Sequence, residues 1–478
     1  GINEMEAHGS GDLQHVSAMA LNAGIDMDMV GEGFLTTLKK SLDEGTIDIE
    51  YINRACRRIL EAKFKLGLFD DPYKYMSEAR VAKDIFTDEN RAKARELATE
   101  SFVLLKNQNV LPLKKEGTIA LIGPLADNVE NMPGTWSVAT DVKKSISVLN
   151  GLRQVGGEGV KIITAKGANI VEDADYEGRV SVFGKNTYRD DRSEAEMTQE
   201  ALAVANQADI IVAAMGEASE MSGESSSRTN IDLPAVQQRL LKKLIATGKP
   251  VVLVLFTGRP LTLTWEHENV PAILNVWFAG TEAGLAIGDV LFGDVNPSGK
   301  LTTTFPQNVG QIPLFYNHKN TGRPLEEEWF KKFRSNYLDV TNEPLYPFGY
   351  GLSYSSFEYG DIALSSTELN GEATLSVTVP VTNTSETDGK EVVQLYIKDM
   401  VGSTTRPVKE LKAFQKPLIK AGETKNIEFE ITTEDLKFYT YSDLDHQKIV
   451  HTWEPGEFEI MVGGNSRDLK RAQINWLK

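Results

Sequence analysis

The apolar positions change their period twice along the chain. Over the first seventy residues they recur at helical spacing. DLQHVSAMALNAG (12–24) ends on Gly24, and FLTTLKKSLDEG (34–45) and IEYINRACRRILEAKFKLGLF (49–69) follow. Between the first two, IDMDMV (25–30) reads as a short strand. A strand followed by outer helices is the pattern of the last unit of a (β/α) barrel, and one or two such units cannot close a barrel. Residues 1–70 are therefore expected to be the C-terminal end of a barrel whose remaining segment is not in this sequence. Residues 71–90 are polar without a sustained apolar period and are expected to be a linker.

In 91–320 short β-branched runs recur: TIALIG, KIITA, DIIVAAMG, PVVLVLF and AILNVWFAG. Amphipathic stretches such as MTQEALAVANQA, AVQQRLLKKLIATG and EAGLAIGDVLFG lie between some of them. Continuous apolar strands alternating with helices predict a parallel sheet covered on both faces, a doubly wound α/β sandwich. Such sheets bind ligands at the carboxyl ends of their strands. The loops after IALIG, IIVAAMG and ILNVWFAG are thus the places to look for chemistry. Residues 321–356 read as a connecting segment. From 357 to 478 the period becomes two, in TLSVTVPVTN, EVVQLYIKD, KNIEFEIT and FEIMVGG, with turns at KAGETK and EPGE. That is the signal of an antiparallel β-sandwich, similar to fibronectin type III modules.

Composition narrows the function classes. The 478 residues carry a formal net charge of -17. This argues against a nucleic-acid partner, which needs clustered Lys and Arg, and suits neutral substrates such as sugars. No apolar run approaches the length of a membrane-spanning helix, so no membrane insertion is expected. The single cysteine, Cys56, cannot form an internal disulfide and is expected to pack in a core. The histidines at 8, 15, 267, 318, 446 and 451 show no metal-ligand spacing, no dinucleotide or phosphate-loop fingerprint is present, and no metal or cofactor is expected.

The most informative segment is the loop after IIVAAMG. It reads GEASEMSGESSSRTNIDLP and holds Glu217, Glu220 and Glu224. Asp232 is placed to N-cap the following helix, with Pro234 in its first turn. An acidic, Ser/Gly-rich loop at the end of a buried strand suits a site; composition alone equally allows a solvated surface loop. Trp136, in NMPGTWSVATD after the IALIG strand, either offers a ring to the apolar face of a sugar or packs locally. Trp277 ends an apolar strand and is expected in the core.

SGESSSRTNIDLP resembles the acid/base loop of glycoside hydrolase family 3, where a Glu stands four residues before an Arg and an acidic-Leu-Pro helix start follows. LLKNQNVLPL (104–113), LVLFTGRPL (253–261), WFAGTEAG (277–284), DVLFGDVNPSGKL (289–301), TFPQNVGQIP (304–313) and YPFGYGLSYSSF (346–357) match further landmarks in order. The resemblance runs along the whole chain and is nearest to the periplasmic bacterial β-glucosidase branch. It implies retaining hydrolysis of terminal β-linked sugars, glucose first among them, without cofactor, in the periplasm or outside the cell, with a homodimer plausible. It implies that Glu224 is the general acid/base, with Glu4 the weaker alternative. Arg228 then orients the loop, touches sugar hydroxyls or forms a structural ion pair. The family's nucleophile is an Asp in a Ser-Asp-aromatic motif, and GINEMEAHG resembles the stretch just after it. The nucleophile is therefore expected upstream of Gly1, in a missing barrel segment. On that expectation the 478 residues alone are either an incomplete enzyme or a non-catalytic, carbohydrate-binding remnant.

Overall fold

The computed structural model describes all residues except 138–139, 182–183, 326–328 and 443–444; the side chains of 445–447, His446 among them, are also outside the described set. The chain divides into two compact units, Gly1–Thr87 and Asp88–Lys478.

The first unit is helical. A 3-10 turn, Ile2–Glu6, precedes α1 (Leu13–Ala23), α2 (Gly33–Asp43), α3 (Ile49–Lys65) and α4 (Glu78–Asp84). Asp12 accepts from the His15 N–H to cap α1, and Gly24 closes it in the left-handed conformation. Ala18, Leu21, Ile47 and Ala55 form its small core, with Phe34, Leu38, Tyr51 and Ile52 packed around them. Two expectations fail here. IDMDMV (25–30) is not a strand. A strand needs a partner ladder, and the described residues of this unit offer none; Met29 and Val30 stand exposed. Cys56 is also exposed rather than packed in the core. The buried stripe of α3 runs through Tyr51, Ile52 and Ala55, and position 56 turns about 100° away from it. The stretch expected as linker contains α4.

The second unit opens with α5 (Asp88–Ser101), which carries Arg91 and Arg95 to carboxylates of the sheet domain. There follow β1 (Val103–Asn107), β2 (Gly117–Ile122), α6 (Val148–Gly156), β3 (Val160–Ala165), α7 (Ala174–Arg179), α8 (Glu194–Ala205) and β4 (Ile210–Gly216). α9 (Ala235–Ile245), β5 (Val251–Phe256), α10 (Thr264–Asn269), β6 (Ala272–Asn275) and α11 (Ala283–Leu291) complete the layer. The sheet order is β1-β6-β5-β4-β2-β3, parallel throughout except for β1, which runs antiparallel at the edge beside β6.

Alternate strand residues serve opposite faces, as a period of two requires. Ile119, Leu121, Val212, Ala214, Val252 and Val254 pack under α5, α6 and α11. Ala120, Ile122, Ile211, Ala213, Leu253 and Leu255 pack under α8 and α9. Both faces are covered over the inner strands β4, β5 and β6, which are buried along nearly their whole length, while the edge strand β3 keeps Lys161 and Thr164 exposed.

The order also fixes where a site can form. From β2 the chain moves outward to β3, then returns to place β4 on the other side of β2. The connections leaving β2 and β4 therefore run in opposite directions, which makes the carboxyl ends of these two strands the topological switch point, the place where open α/β sheets hold ligands.

Segment 346–354 runs back along this layer before the sandwich starts. Tyr350 and Tyr354 donate their hydroxyls to the carbonyls of Leu105 and Val290, and the Leu352 N–H bonds Leu104 O at 2.8 Å. The sandwich has one sheet of Thr424–Ile431, Leu375–Asn383 and Phe357–Tyr359, with Ala363–Leu364 at its side. The other runs Glu410–Gln415, Val393–Asp399, Gly456–Gly463, Leu469–Leu477 and Glu368–Asn370. Val377, Val379, Leu395, Ile460 and Trp476 fill the space between them.

Candidate active site at the β2–β4 switch point

β4 ends on Gly216, whose φ is +138° and where a Cβ would lie 1.9 Å from the Phe256 carbonyl oxygen. Only glycine lets the two strand ends come this close. Glu217 is the next residue, fully buried, and its N–H still pairs with Phe256 O at 2.8 Å. It therefore stands on the rigid end of the sheet.

A buried carboxylate needs partners, and Glu217 has three. Arg228 Nη1 donates to its Oε1 at 2.7 Å, Arg259 Nε lies 3.0 Å from the same oxygen, and the Thr257 hydroxyl donates to Oε2 at 2.8 Å. The guanidiniums reach onward. Arg228 Nη2 donates to Asp232 O at 3.2 Å, and Arg259 Nη2 donates to Ser226 O at 2.7 Å and to Met221 O. Glu224 lies between those last two carbonyls and is exposed. Gly223 beside it has φ +111°, and a Cβ there would meet Thr135 Cγ2 at 2.8 Å, so the loop passes tightly over its neighbour before presenting Glu224.

That neighbour is the loop after β2. The Thr135 hydroxyl donates to Ser222 O at 2.8 Å and to Ser219 O, and Asn131 Oδ1 accepts the Ser219 N–H at 2.7 Å. The next residue, Trp136, is 72% exposed, so its ring is available rather than packed within this unit. Lys185, from the segment after β3, donates to Gly134 O and to Ser219 Oγ at 3.2 Å. Burial pulls its ammonium below the ordinary lysine pKa, partly offset by the charges of Glu220 and Glu130. Three loops at one end of the sheet are thus tied into one surface.

Of the residues singled out in the sequence, Glu224, Arg228 and Trp136 come together on these tied loops. Glu4 lies exposed in the first unit. Arg228 is 11% exposed and engaged by Glu217. Asp232 does not cap α9. Pro234 holds the N-cap position, while the Asp232 side chain accepts from the Thr262 hydroxyl and its backbone bridges to Thr262. This bridge draws the carboxylate away from the helix start. Trp277 is half-buried, donating to Ser101 O at 3.2 Å with its edge against Phe305. Arg259, Thr257, Thr135 and Lys185 had no role in the sequence reading. The one available signal was Glu217 itself, the first residue after an apolar strand, where a carboxylate must find a cation.

Comparison with known proteins agrees with this architecture. Residues 102–354 match the model of the glycosyl hydrolase family 3 C-terminal domain, and residues 391–466 match a fibronectin type III-like domain. A periplasmic beta-glucosidase of Salmonella typhimurium is 44% identical over 100% of this chain and 62% of its own length. A beta-xylosidase of Formosa agariphila is 38% identical over 95% of this chain and 60% of its own. A beta-glucosidase of Listeria innocua, solved in complex with isofagomine, superposes with a TM-score of 0.87 at 39% identity, covering 100% of this chain and 63% of that one. The chain thus spans about three-fifths of the length of these relatives. With more than half of its residues matched by the family's own domain model, the chain belongs to glycosyl hydrolase family 3.

Proposed function

We propose that this chain supplies the general acid/base of a retaining β-glycosidase acting on terminal β-linked glucosyl or related residues. The observation that carries the reading is Glu224: an exposed carboxyl between two backbone carbonyls held by Arg259, on the loop that leaves β4 at the β2–β4 switch point. The beta-glucosidases and the beta-xylosidase among its relatives support the substrate class.

In a retaining mechanism two carboxyl groups flank the scissile bond about 5–5.5 Å apart. Glu224 protonates the departing oxygen while an ionised carboxylate attacks the anomeric carbon. Glu224, now a carboxylate, then takes a proton from the water that opens the glycosyl-enzyme. The attacking Asp belongs, in this proposal, to the part of the relatives' length that these residues do not span. Trp136 offers a ring for the leaving-group sugar. A periplasmic or extracellular location and a homodimer complete the proposal; among the described residues no helix is long and apolar enough to cross a membrane.

The test is Glu224→Ala in the intact protein. Turnover of a β-linked disaccharide is expected to fall by about a hundred- to ten-thousandfold. Azide should restore turnover of an activated aryl glycoside and yield the β-glycosyl azide. Near-parental activity on the disaccharide would move the acid/base assignment to Glu4.

A further inference from the structure

We propose that Glu217 is a positioning residue for the acid/base, acting on Glu224 through Arg228 and Arg259. The inference rests on Glu224 being the acid/base and adds what holds it in place. Glu217 has no exposed surface and sits on the sheet end, so it touches no substrate. Its carboxylate gathers donors from two neighbouring loops: Arg228 from the Glu224 loop after β4, and Thr257 and Arg259 from the turn after β5.

One guanidinium then fixes the segment that matters. Arg259 Nη2 holds Met221 O and Ser226 O, three residues before Glu224 and two after it. Arg228 fixes the loop's exit through Asp232 O. The two arginines are only 18% and 11% exposed, and both are ion-paired to the one Glu217 carboxylate. Without it two like, largely buried charges would face each other, and the cheaper outcome is for one to swing out to solvent. Loss of Arg259 from the cluster would release both carbonyls flanking Glu224 together. A general acid is effective only when held near its productive geometry, and a displacement of about 1 Å costs on the order of a hundredfold.

A purely structural ion cluster predicts a different result from a positioning one, and leaving-group dependence separates them. A 2,4-dinitrophenolate departs without a proton, whereas the alcohol of a disaccharide needs one. In the intact protein, kcat/KM is measured over a series of aryl β-glycosides and a disaccharide for the parent, Glu217→Gln and Glu224→Gln. Melting temperatures confirm that each variant is folded. Arg259→Lys, which keeps the charge but not the forked geometry, stands in if Glu217→Gln does not fold. For Glu217→Gln we expect kcat/KM within about threefold of parent on the dinitrophenyl substrate and about ten- to a hundredfold lower on the disaccharide. Its plot against leaving-group pKa should be steeper than the parent's and approach that of Glu224→Gln. Equal losses on both substrates, or none on either, overturn the positioning role. If Glu224→Gln itself shows no leaving-group dependence, the acid/base assignment has failed, and the positioning role falls with it.

Discussion

Removing the Glu391 carboxylate should loosen the sandwich from the α/β layer by a calculable amount. Glu391 is 4% exposed and leads into the strand Val393–Asp399. Lys300, which follows α11, reaches its Oε2 at 3.1 Å and also donates to Gly351 O at 2.7 Å. The Tyr359 hydroxyl donates to Oε1 at 2.9 Å, and burial together with the adjacent carboxylate pushes that phenol well above its ordinary pKa. Glu391→Ala leaves the Lys300 ammonium, 14% exposed, with one carbonyl acceptor, and leaves the Tyr359 hydroxyl without its acceptor. Breaking one side of a buried pair costs about 3–5 kcal/mol.

The shift in Tm depends on what unfolds together. At about 2.1 cal/mol/K per residue, a unit of about 390 residues has an unfolding entropy near 0.8 kcal/mol/K, and the loss lowers Tm by about 4–6 °C. If the sandwich of about 120 residues melts alone, its entropy is near 0.25 kcal/mol/K and the drop is about 12–20 °C. Scanning calorimetry of the intact protein reads both the size of the shift and the transition that carries it. The double variant Lys300→Met/Glu391→Leu removes both charges at similar volume and should recover most of the loss. A fall of under about 1 °C in every transition of Glu391→Ala, or a double variant no better than the single one, would refute the reasoning.

Two further outcomes follow from exposure and charge. Glu266, in α10, is 1% exposed and held by Gln238 Nε2 at 3.0 Å; burial raises its carboxyl pKa above the ordinary glutamate value. A raised folded pKa favours the folded state only below the unfolded pKa and works against it as pH climbs through the folded value. Glu266→Gln should therefore raise Tm at pH 8, with the gain shrinking to nothing near pH 4; a gain that does not change across this range contradicts the cause given. Trp136→Ala should leave Tm almost unchanged, because the ring is 72% exposed. It should weaken disaccharide binding by about 2- to 12-fold, the worth of one aromatic stacking contact. An unchanged KM would remove Trp136 from the substrate path.

The elements legible in the chain were those whose signal is local. The five runs from TIALIG to AILNVWFAG became β2 to β6; the inner strands β4, β5 and β6 carry the continuous apolar signal of a strand covered on both faces, while β3 at the edge admits Lys161 and Thr164. TLSVTVPVTN became Leu375–Asn383, with burial alternating residue by residue. Where one strand was read without a partner, at 25–30, the pattern misled, since β structure exists only in pairs. Cys56 misled for a related reason: a helix rich in apolar residues does not say which stripe its neighbours will cover.

Order along the chain, the strand and helix periods, and the landmarks from LLKNQNVLPL to YPFGYGLSYSSF were therefore determined by the sequence alone, and with them the family and Glu224 as the residue to test. Tertiary structure decided the rest. It set β4 beside β2 and so brought the loops that leave them together at the switch point. It brought Arg259 to Glu217, 42 residues away, through the parallel pairing of β4 with β5. It also turned Asp232 from helix cap to the partner of Thr262. The physical reason is range: periodicity and turn chemistry act over a few residues, while a buried carboxylate selects its cations from whatever the sheet order places within 3 Å.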